Sequence, residues 1–359
     1  MIRLHSLCLV AAVALIAAAC ARVDRADRIA HAERTERTDA QRAERTERVD
    51  RVDTCALPQS FNDPYPVLHD ETKSLFWVRP MEVDADGAPN AYHRDDPHGN
   101  KGLAIEHIGY GMRIEKDGVR IPYVAKEEEN TAWLEIYKHI IENSWKAPDG
   151  YSVDIFGFAK DENGDICVGP DGRLVSSTSV SLKRNGSLCD QSRYIDALKF
   201  PGIVVPNRAK DEEAVANADP FVAPPFAIKG VRRGDLAVVF NPKTGRWKGA
   251  LVHDTGPRDK LGEGSIRMVM NLTGRKDVPT SAQATNSMGI SEAYYVLFPG
   301  SVNDLGDRKN WTPARIEKSA AARFKQWGGG SLDVALKRLS ACAERYKNLP
   351  TIQASIPTP

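Results

Sequence analysis

The stretch HDTGPRDKLGEGSI, residues 253–266, holds two carboxylates nine positions apart, Asp254 and Glu263. Asp254 ends an apolar run and leads into a Gly-Pro turn, and Glu263 lies between two glycines. Two carboxyl groups on either flank of one turn suit glycoside hydrolysis. One protonates the leaving oxygen, and the other activates water or attacks carbon. Glycines beside them would let a sugar approach the backbone. Spacing alone fits a charged surface turn equally well, so the surrounding elements have to decide.

Those elements read as strands for most of the chain. LFWVRPMEVDADGAPNAYH (75–93) predicts a strand followed by a Gly/Pro turn, and MRIEKDGVRIPYVA (112–125) predicts a hairpin turning at Asp117-Gly118. TAWLEIYKHIIENSW (131–145) places Trp133, Tyr137, Ile140 and Ile141 on one helical face. YSVDIFGFA, ALKFPGIVVP and the pair within 234–256, joined at Pro242–Gly245, read as further strands. Thr312, Pro313 and a run of three glycines bracket a helix, and SLDVALKRLSACAERYKNL predicts a second amphipathic one. The expected class is α+β, mainly β, with a few flanking helices.

The N-terminus MIRLHSLCLVAAVALIAAAC carries a basic start, an apolar stretch from Leu7 to Ala19 and small residues before Cys20. It reads as a secretory signal over 1–19 rather than a membrane span. Its AAAC ending resembles a bacterial lipobox, which implies acylation of Cys20, export, and attachment to a membrane through that lipid. Residues 21–54 repeat an acid-Arg pattern with almost no apolar periodicity, so 20–54 is expected to be a charged tether. The expected order continues with a catalytic domain over 55–310, a helical pair over 311–349 packed on it, and a tail over 350–359.

Charge excludes little but is specific where it does. Residues 1–55 hold ten Lys/Arg and nine Asp/Glu, which leaves 39 of each sign in the body. A neutral body carries no field for nucleic acid, and the arginines of the tether each have an acidic neighbour. Four thiols beyond Cys20 in an exported chain allow two disulfides in three connectivities. The preferred pairing closes one loop through Cys167 and Cys189 and ties the ends through Cys55 and Cys342. Their spacing has no CxxC or Cys/His cluster, so no metal is expected. DENGDICVGPDG (161–172) starts like an EF-hand but lacks its glycine and terminal glutamate, and reads as a turn cluster. His253 reads as a strand-end histidine, most tryptophans as core, and no nucleotide pattern is present; no cofactor is expected.

GDLAVVFNPKTGRWKGALVHDTGPRDKLGEGSI (234–266) resembles the signature region of glycoside hydrolase family 75, the endo-chitosanases. The D-x-G-P and G-E-x-S-I segments fall on Asp254, Gly256, Pro257, Gly262, Glu263, Ser265 and Ile266. Weaker similarity extends over about 75–274. The resemblance implies an inverting enzyme that cuts β-1,4-linked glucosamine polymers. It implies Glu263 as general acid, in the less solvated place, and Asp254 as general base. It further implies substrate contacts at Gly256, Gly262 and Ser265, and a subsite at Asp84 and Asp86 for glucosamine ammonium groups; those two aspartates fit a simple turn equally well. The same stretch, with G-D-x-x-x-V-x-N-x-x-T-G before D-x-G-P, is similar to rare-lipoprotein-A-like lytic transglycosylases. These are double-psi β-barrels that act on peptidoglycan but lack LGEGSI. A double-psi-like barrel core is therefore expected, in a monomer whose partner is a polysaccharide substrate. A non-catalytic carbohydrate-binding lipoprotein is the third reading, and retention of both carboxylates argues against it.

Overall fold

The structure, a computed structural model, describes residues 55, 59–61, 65–104, 107–123, 131–155, 157–258 and 260–349. The expected signal, Cys20, the tether and the tail at 350–359 lie outside the described residues. Thirteen strands are described. In chain order they begin with β1 (Gln59–Phe61), β2 (Val67–His69), β3 (Leu75–Asp84), β4 (Tyr92–His93), β5 (Met112–Lys116), β6 (Val119–Ile121) and β7 (Tyr151–Ile155). They continue with β8 (Arg173–Leu174), β9 (Gly202–Pro206), β10 (Leu236–Asn241), β11 (Arg246–Gly256), β12 (Glu263–Ser265) and β13 (Ile290–Phe298).

Six of them close a barrel in the order β3-β12-β9-β11-β10-β13, with β13 returning to pair with β3. Two of its seams, β9 with β11 and β12 with β3, are parallel, and the other four are antiparallel. The protein is thus α+β and mainly β, with a closed barrel at its centre, as expected. Closure leaves no open edge inside the barrel sheet.

The strand sequences show why the barrel is dry. LAVVF of β10 and YYVLF of β13 are apolar without alternation because both faces are covered. Trp77 and Tyr295 are register partners on β3 and β13, and their rings stack with centroids 5.0 Å apart. Pro80 lies within β3 at the irregularity in its pairing with β13, between Arg79 and Met81 and just before β12 takes over at Glu82. A residue without an N–H is tolerated at such a switch. Glu82 resumes the ladder by donating its N–H to Gly262 O at 2.8 Å.

Helix α1 (Pro313–Gly328) and helix α2 (Leu332–Lys347) form the expected C-terminal pair. Thr312 caps α1 by accepting from Arg315 N, Pro313 occupies its first turn, and Gly329 ends it in the left-handed conformation. The pair packs on the barrel: a Cβ at Gly249 of β11 would meet Ala320 at 2.9 Å. The disulfides join Cys55 to Cys342 on α2 and Cys167 to Cys189, the expected pairing. The helix at Thr131–Glu142 buries Trp133, Tyr137 and Ile140 as its period predicts. Strands β5, β6 and β7 make a small separate sheet, in which Asp117 and Gly118 turn the hairpin with positive φ. Among the described residues, no helix is long and apolar enough to cross a membrane.

Candidate active site

Asp254 and Glu263 reach one cleft from opposite sides of the central strand β9. Asp254 on β11 and Glu263 on β12 are both register partners of Val204. Directly opposed residues on neighbouring strands present their side chains to the same face. That cleft, of about 840 Å³, is lined by Asp84, Asp86, Val204, Asp254, Gly256 and Glu263 among others. All four carboxylates singled out in the sequence therefore share it.

A bulge aims Asp254. The β9–β11 register slips between Val252 and Asp254, which leaves His253 as the extra residue. His253 is fully buried against Gly202, where a Cβ would fall 2.4 Å from Nδ1. Its Nδ1–H donates to Ile203 O at 3.1 Å, and its Nε2 lies 2.9 Å from Asp84 Oδ2. Burial acts to lower the His253 pKa, but contact with Asp84 and the nearby charge of Asp254 outweigh it, and the net shift is upward. Both ring nitrogens face acceptors, as suits an imidazolium.

Asp254 is partly buried and accepts two backbone hydrogen bonds at Oδ1, from Ser179 N at 2.9 Å and Thr255 N at 2.7 Å. Loss of solvation, and then the negative charge of Asp84, push its pKa up to about 6 against the pull of His253 and those N–H groups. Glu263 meets a different neighbour. Its Oε1 lies 2.5 Å from Lys260 Nζ, which also reaches Glu82 at 2.9 Å. The Glu263 side chain is 12% exposed. The two carboxyls thus differ in their neighbours. Asp254 has a carboxylate beside it, and Glu263 has an ammonium.

The other expected contacts divide. Asp86 lines the cleft, fixed by a 2.7 Å hydrogen bond from Tyr92 Oη, and its own N–H donates to Asp84 Oδ1 at 2.8 Å. Gly256 lines it too, and a Cβ there would press to 2.8 Å from Glu263 Oε2. Gly262 and Ser265 are not among the residues that line it. Gly262 has φ +112°, and a Cβ there would meet Pro80 O at 2.4 Å. Ser265 is fully buried; its hydroxyl donates to Phe200 O, accepts from Gly202 N, and caps the helix Ile266–Thr273. Both glycine and serine thus serve the backbone that presents Glu263. Trp77 and Trp133 are buried, and Trp247 is not among the cleft residues.

Sequence reasoning missed Lys260, Ser179 and Gly202. Lys260 was within reach, three residues before Glu263 in the same turn. Ser179 and Gly202 gave no local signal, since each meets its partner only through the fold. Among the described residues, no group of three His, Cys, Asp or Glu side chains is placed to hold a metal ion. At 161–165, Asp161 turns the chain by accepting from Asn163 N and Asp165 N.

No protein-family model matches the chain, and no curated protein matches it.

Proposed function

We propose that this protein is an endo-acting glycoside hydrolase that cuts β-1,4-linked glucosamine polymers with inversion. The observation that carries the reading is the pair Asp254 and Glu263, either side of Val204 on one cleft and with opposite electrostatic surroundings. Glycosidases need such a separation of roles, one carboxyl holding a proton and one accepting it. The similarity of residues 234–266 to family 75 agrees with it.

The environments favour Asp254 as the acid and Glu263 as the base, the reverse of the roles that the resemblance implies. Asp254 gives its proton to the glycosidic oxygen as the bond from C1 breaks and its electron pair passes to that oxygen. Glu263 takes a proton from water as the water oxygen bonds to C1 from the opposite face. Asp254 then regains a proton from solvent, and Glu263 releases to solvent the proton it took from water. Loss of solvation, and after it the negative charge of Asp84 held against His253, makes Asp254 retain its proton.

Soluble glucosamine oligomers incubated with the protein should gain reducing ends, and the Asp254→Asn protein should generate almost none. An unchanged oligomer profile with the wild-type protein would sink the reading.

A lytic transglycosylase acting on peptidoglycan is the second reading. It is favoured by the raised carboxyl of Asp254, since closing a 1,6-anhydro ring needs an acid but no second carboxylate for water. On that reading Glu263 and Lys260 form a structural ion pair. Appearance of 1,6-anhydro products from peptidoglycan, retained in Glu263→Gln, would select it.

A further inference from the structure

Asp254 receives one of its two hydrogen bonds from a segment 75 positions earlier in the chain, through Ser179 N. That segment follows β8 and is fixed almost residue by residue. Ser177 N–H donates to Gly157 O at 2.8 Å, and Leu182 N–H donates to Arg193 O at 2.7 Å. Thr178 Oγ1 donates to Val180 O at 2.7 Å and accepts from Ile195 N at 3.2 Å. Two of its carbonyls take arginines from elsewhere. Arg233 Nη1 donates to Ser179 O at 2.5 Å, and Arg308 Nη1 donates to Ser181 O at 3.0 Å. Ser179 is therefore gripped on both sides, by Asp254 at its N–H and by Arg233 at its carbonyl.

Arg233, just before β10, is itself built in. Its backbone N–H donates to Asp219 Oδ2 at 3.0 Å, and its Nε lies 3.0 Å from both Asp219 oxygens. The Phe221 ring covers one face of the guanidinium, with 3.9 Å from its carbon to the ring centre. The Arg233 side chain is 19% exposed and that of Asp219 10%. Burial pushes the Asp219 carboxyl up, but the hydrogen bonds and charge of Arg233 outweigh it; the net shift is downward, and the pair stays ionised. A desolvated ion pair returns little net stability. Its effect here is one of direction: the guanidinium is planar, and with Nε engaged by Asp219 its Nη1–H is aimed at Ser179 O.

Both backbone hydrogen bonds to Asp254, from Ser179 N and Thr255 N, fall on Oδ1. An oxygen that already accepts two N–H groups is the poorer seat for a proton, which leaves Oδ2. We propose that Arg233 is a positioning residue, which through Ser179 keeps that N–H on Oδ1 and so directs the acid proton of Asp254 to Oδ2. The role rests on Asp254 being the acid proposed above. The charged groups around Asp254 are Asp84 and Asp86 at the end of β3, His253 on its own strand, Glu263 on β12, and Arg258 beyond β11. None of them is altered when Arg233 is replaced. Asp254 then loses a hydrogen bond to its charged form, and it holds its proton to higher pH.

The test replaces Arg233 with Met and with Lys. Lysine keeps the charge, but its single ammonium cannot span Asp219 and Ser179 as the planar fork does. In protein labelled with carbon-13 at aspartate, the Asp254 carboxyl is followed by NMR against pH, its signal identified by its absence in Asp254→Asn. Arg233→Met and Arg233→Lys should each move that titration up by about half to one pH unit, the worth of one hydrogen bond. The alkaline limb of kcat/KM on glucosamine oligomers should move with it, whereas a merely structural role would lower turnover and leave the titration in place. Should Arg233→Met not fold, the sign in Arg233→Lys decides alone. An unmoved or lowered titration, or one that Arg233→Lys restores to the wild-type value, would overturn the inference. A raised titration in the variants of a protein that cuts no glucosamine oligomer would uphold the link to Asp254 and defeat the hydrolase reading instead.

Discussion

Nε2 of His253 lies 2.9 Å from Oδ2 of Asp84, although the two residues are 169 positions apart in the chain. The contact joins β3 to the bulge of β11 and leaves a carboxylate fixed beside Asp254. Its chemical consequence is on Asp254, whose pKa burial first, and then the Asp84 charge, raise to about 6. Asp84 thus acts through charge, and it does so in a position that the histidine holds.

On the proposed mechanism, burial and that charge together set the pH dependence of cleavage. If Asp254 must be protonated, turnover falls as pH rises through about 6. In Asp84→Asn the neighbouring negative charge is gone, and with it part of the His253 positive charge. The Asp84 effect on Asp254 is the larger of the two, so the alkaline limb should move to lower pH. His253→Gln removes the opposing cation and should move the limb upward. Profiles of kcat/KM against pH for the two variants check both signs, and matching shifts would remove Asp254 from the acid role.

The same carboxyl should weaken the fold at neutral pH. Its native pKa is raised from 3.8 to about 6, so the native state binds the proton more tightly than the unfolded chain. Stability from this group is then greatest below the unfolded value and declines between about pH 4 and 6. The full shift corresponds to a penalty on the order of 2–3 kcal/mol above pH 6. Asp254→Asn is expected to raise Tm by a few degrees at pH 8 and to leave it unchanged at pH 3.5. Thermal melts at both pH values test this, and equal melts at pH 8 would mean that the carboxylate is better solvated than its surroundings indicate.

Catalysis should fail separately from folding. Glu263→Gln and Asp254→Asn are each expected to lower turnover by about 10²–10⁴-fold, the usual worth of a positioned acid or base. Neither change removes apolar volume, so circular dichroism should stay native-like and each variant should still melt cooperatively, Asp254→Asn with only the pH-dependent rise argued above. Loss of Lys260, by substitution to Met, should lower turnover less, because it removes a countercharge rather than a reacting group. Wild-type turnover in either carboxylate variant would exclude that residue from the chemistry.

The legible part of this molecule is local. Strand β3, the β5–β6 hairpin, the β10–β11 pair and both C-terminal helices follow from periodicity, turn residues and caps. Strand β13 does not: SEAYYVLF has no period-2 alternation, because its two faces meet the barrel core and the outer layer alike. Without β13 the barrel cannot close. The parallel seams were also out of reach, since nothing in GIVVP states that it lies between β11 and β12. Asp254 and Glu263 stood out by type and glycine context. Their electrostatic difference did not, because it is written by Asp84 and Lys260 through the fold.

The two disulfides should differ in worth. Cys55–Cys342 spans 287 positions and Cys167–Cys189 spans 22. If cross-links act mainly by restricting the unfolded chain, loss of the first costs about 5 kcal/mol and loss of the second about 3 kcal/mol. Paired Cys→Ala variants and denaturant melts give the two values. A larger loss for Cys167/Cys189 would show that native packing, rather than chain length, decides.

Stereochemistry provides the sharpest check of the paired carboxylates. Asp254 and Glu263 stand one strand to either side of Val204, so their backbones are separated by two strand spacings, roughly 9–10 Å. Side chains projecting from one face over that distance leave room for a water molecule between carboxyl and sugar. Retaining enzymes instead bring their carboxyls to about 5–5.5 Å so that one can attack carbon directly. Direct attack would also call for Glu263 to leave Lys260, which lies against it at 2.5 Å. Water attack from the face opposite Asp254 inverts the anomeric centre, and the first product released from a β-linked glucosamine oligomer should be the α-anomer. Proton NMR within the first minutes, before mutarotation, reads this directly. An initial β-anomer would mean a covalent intermediate and would require the two carboxyls to approach more closely than their strands place them.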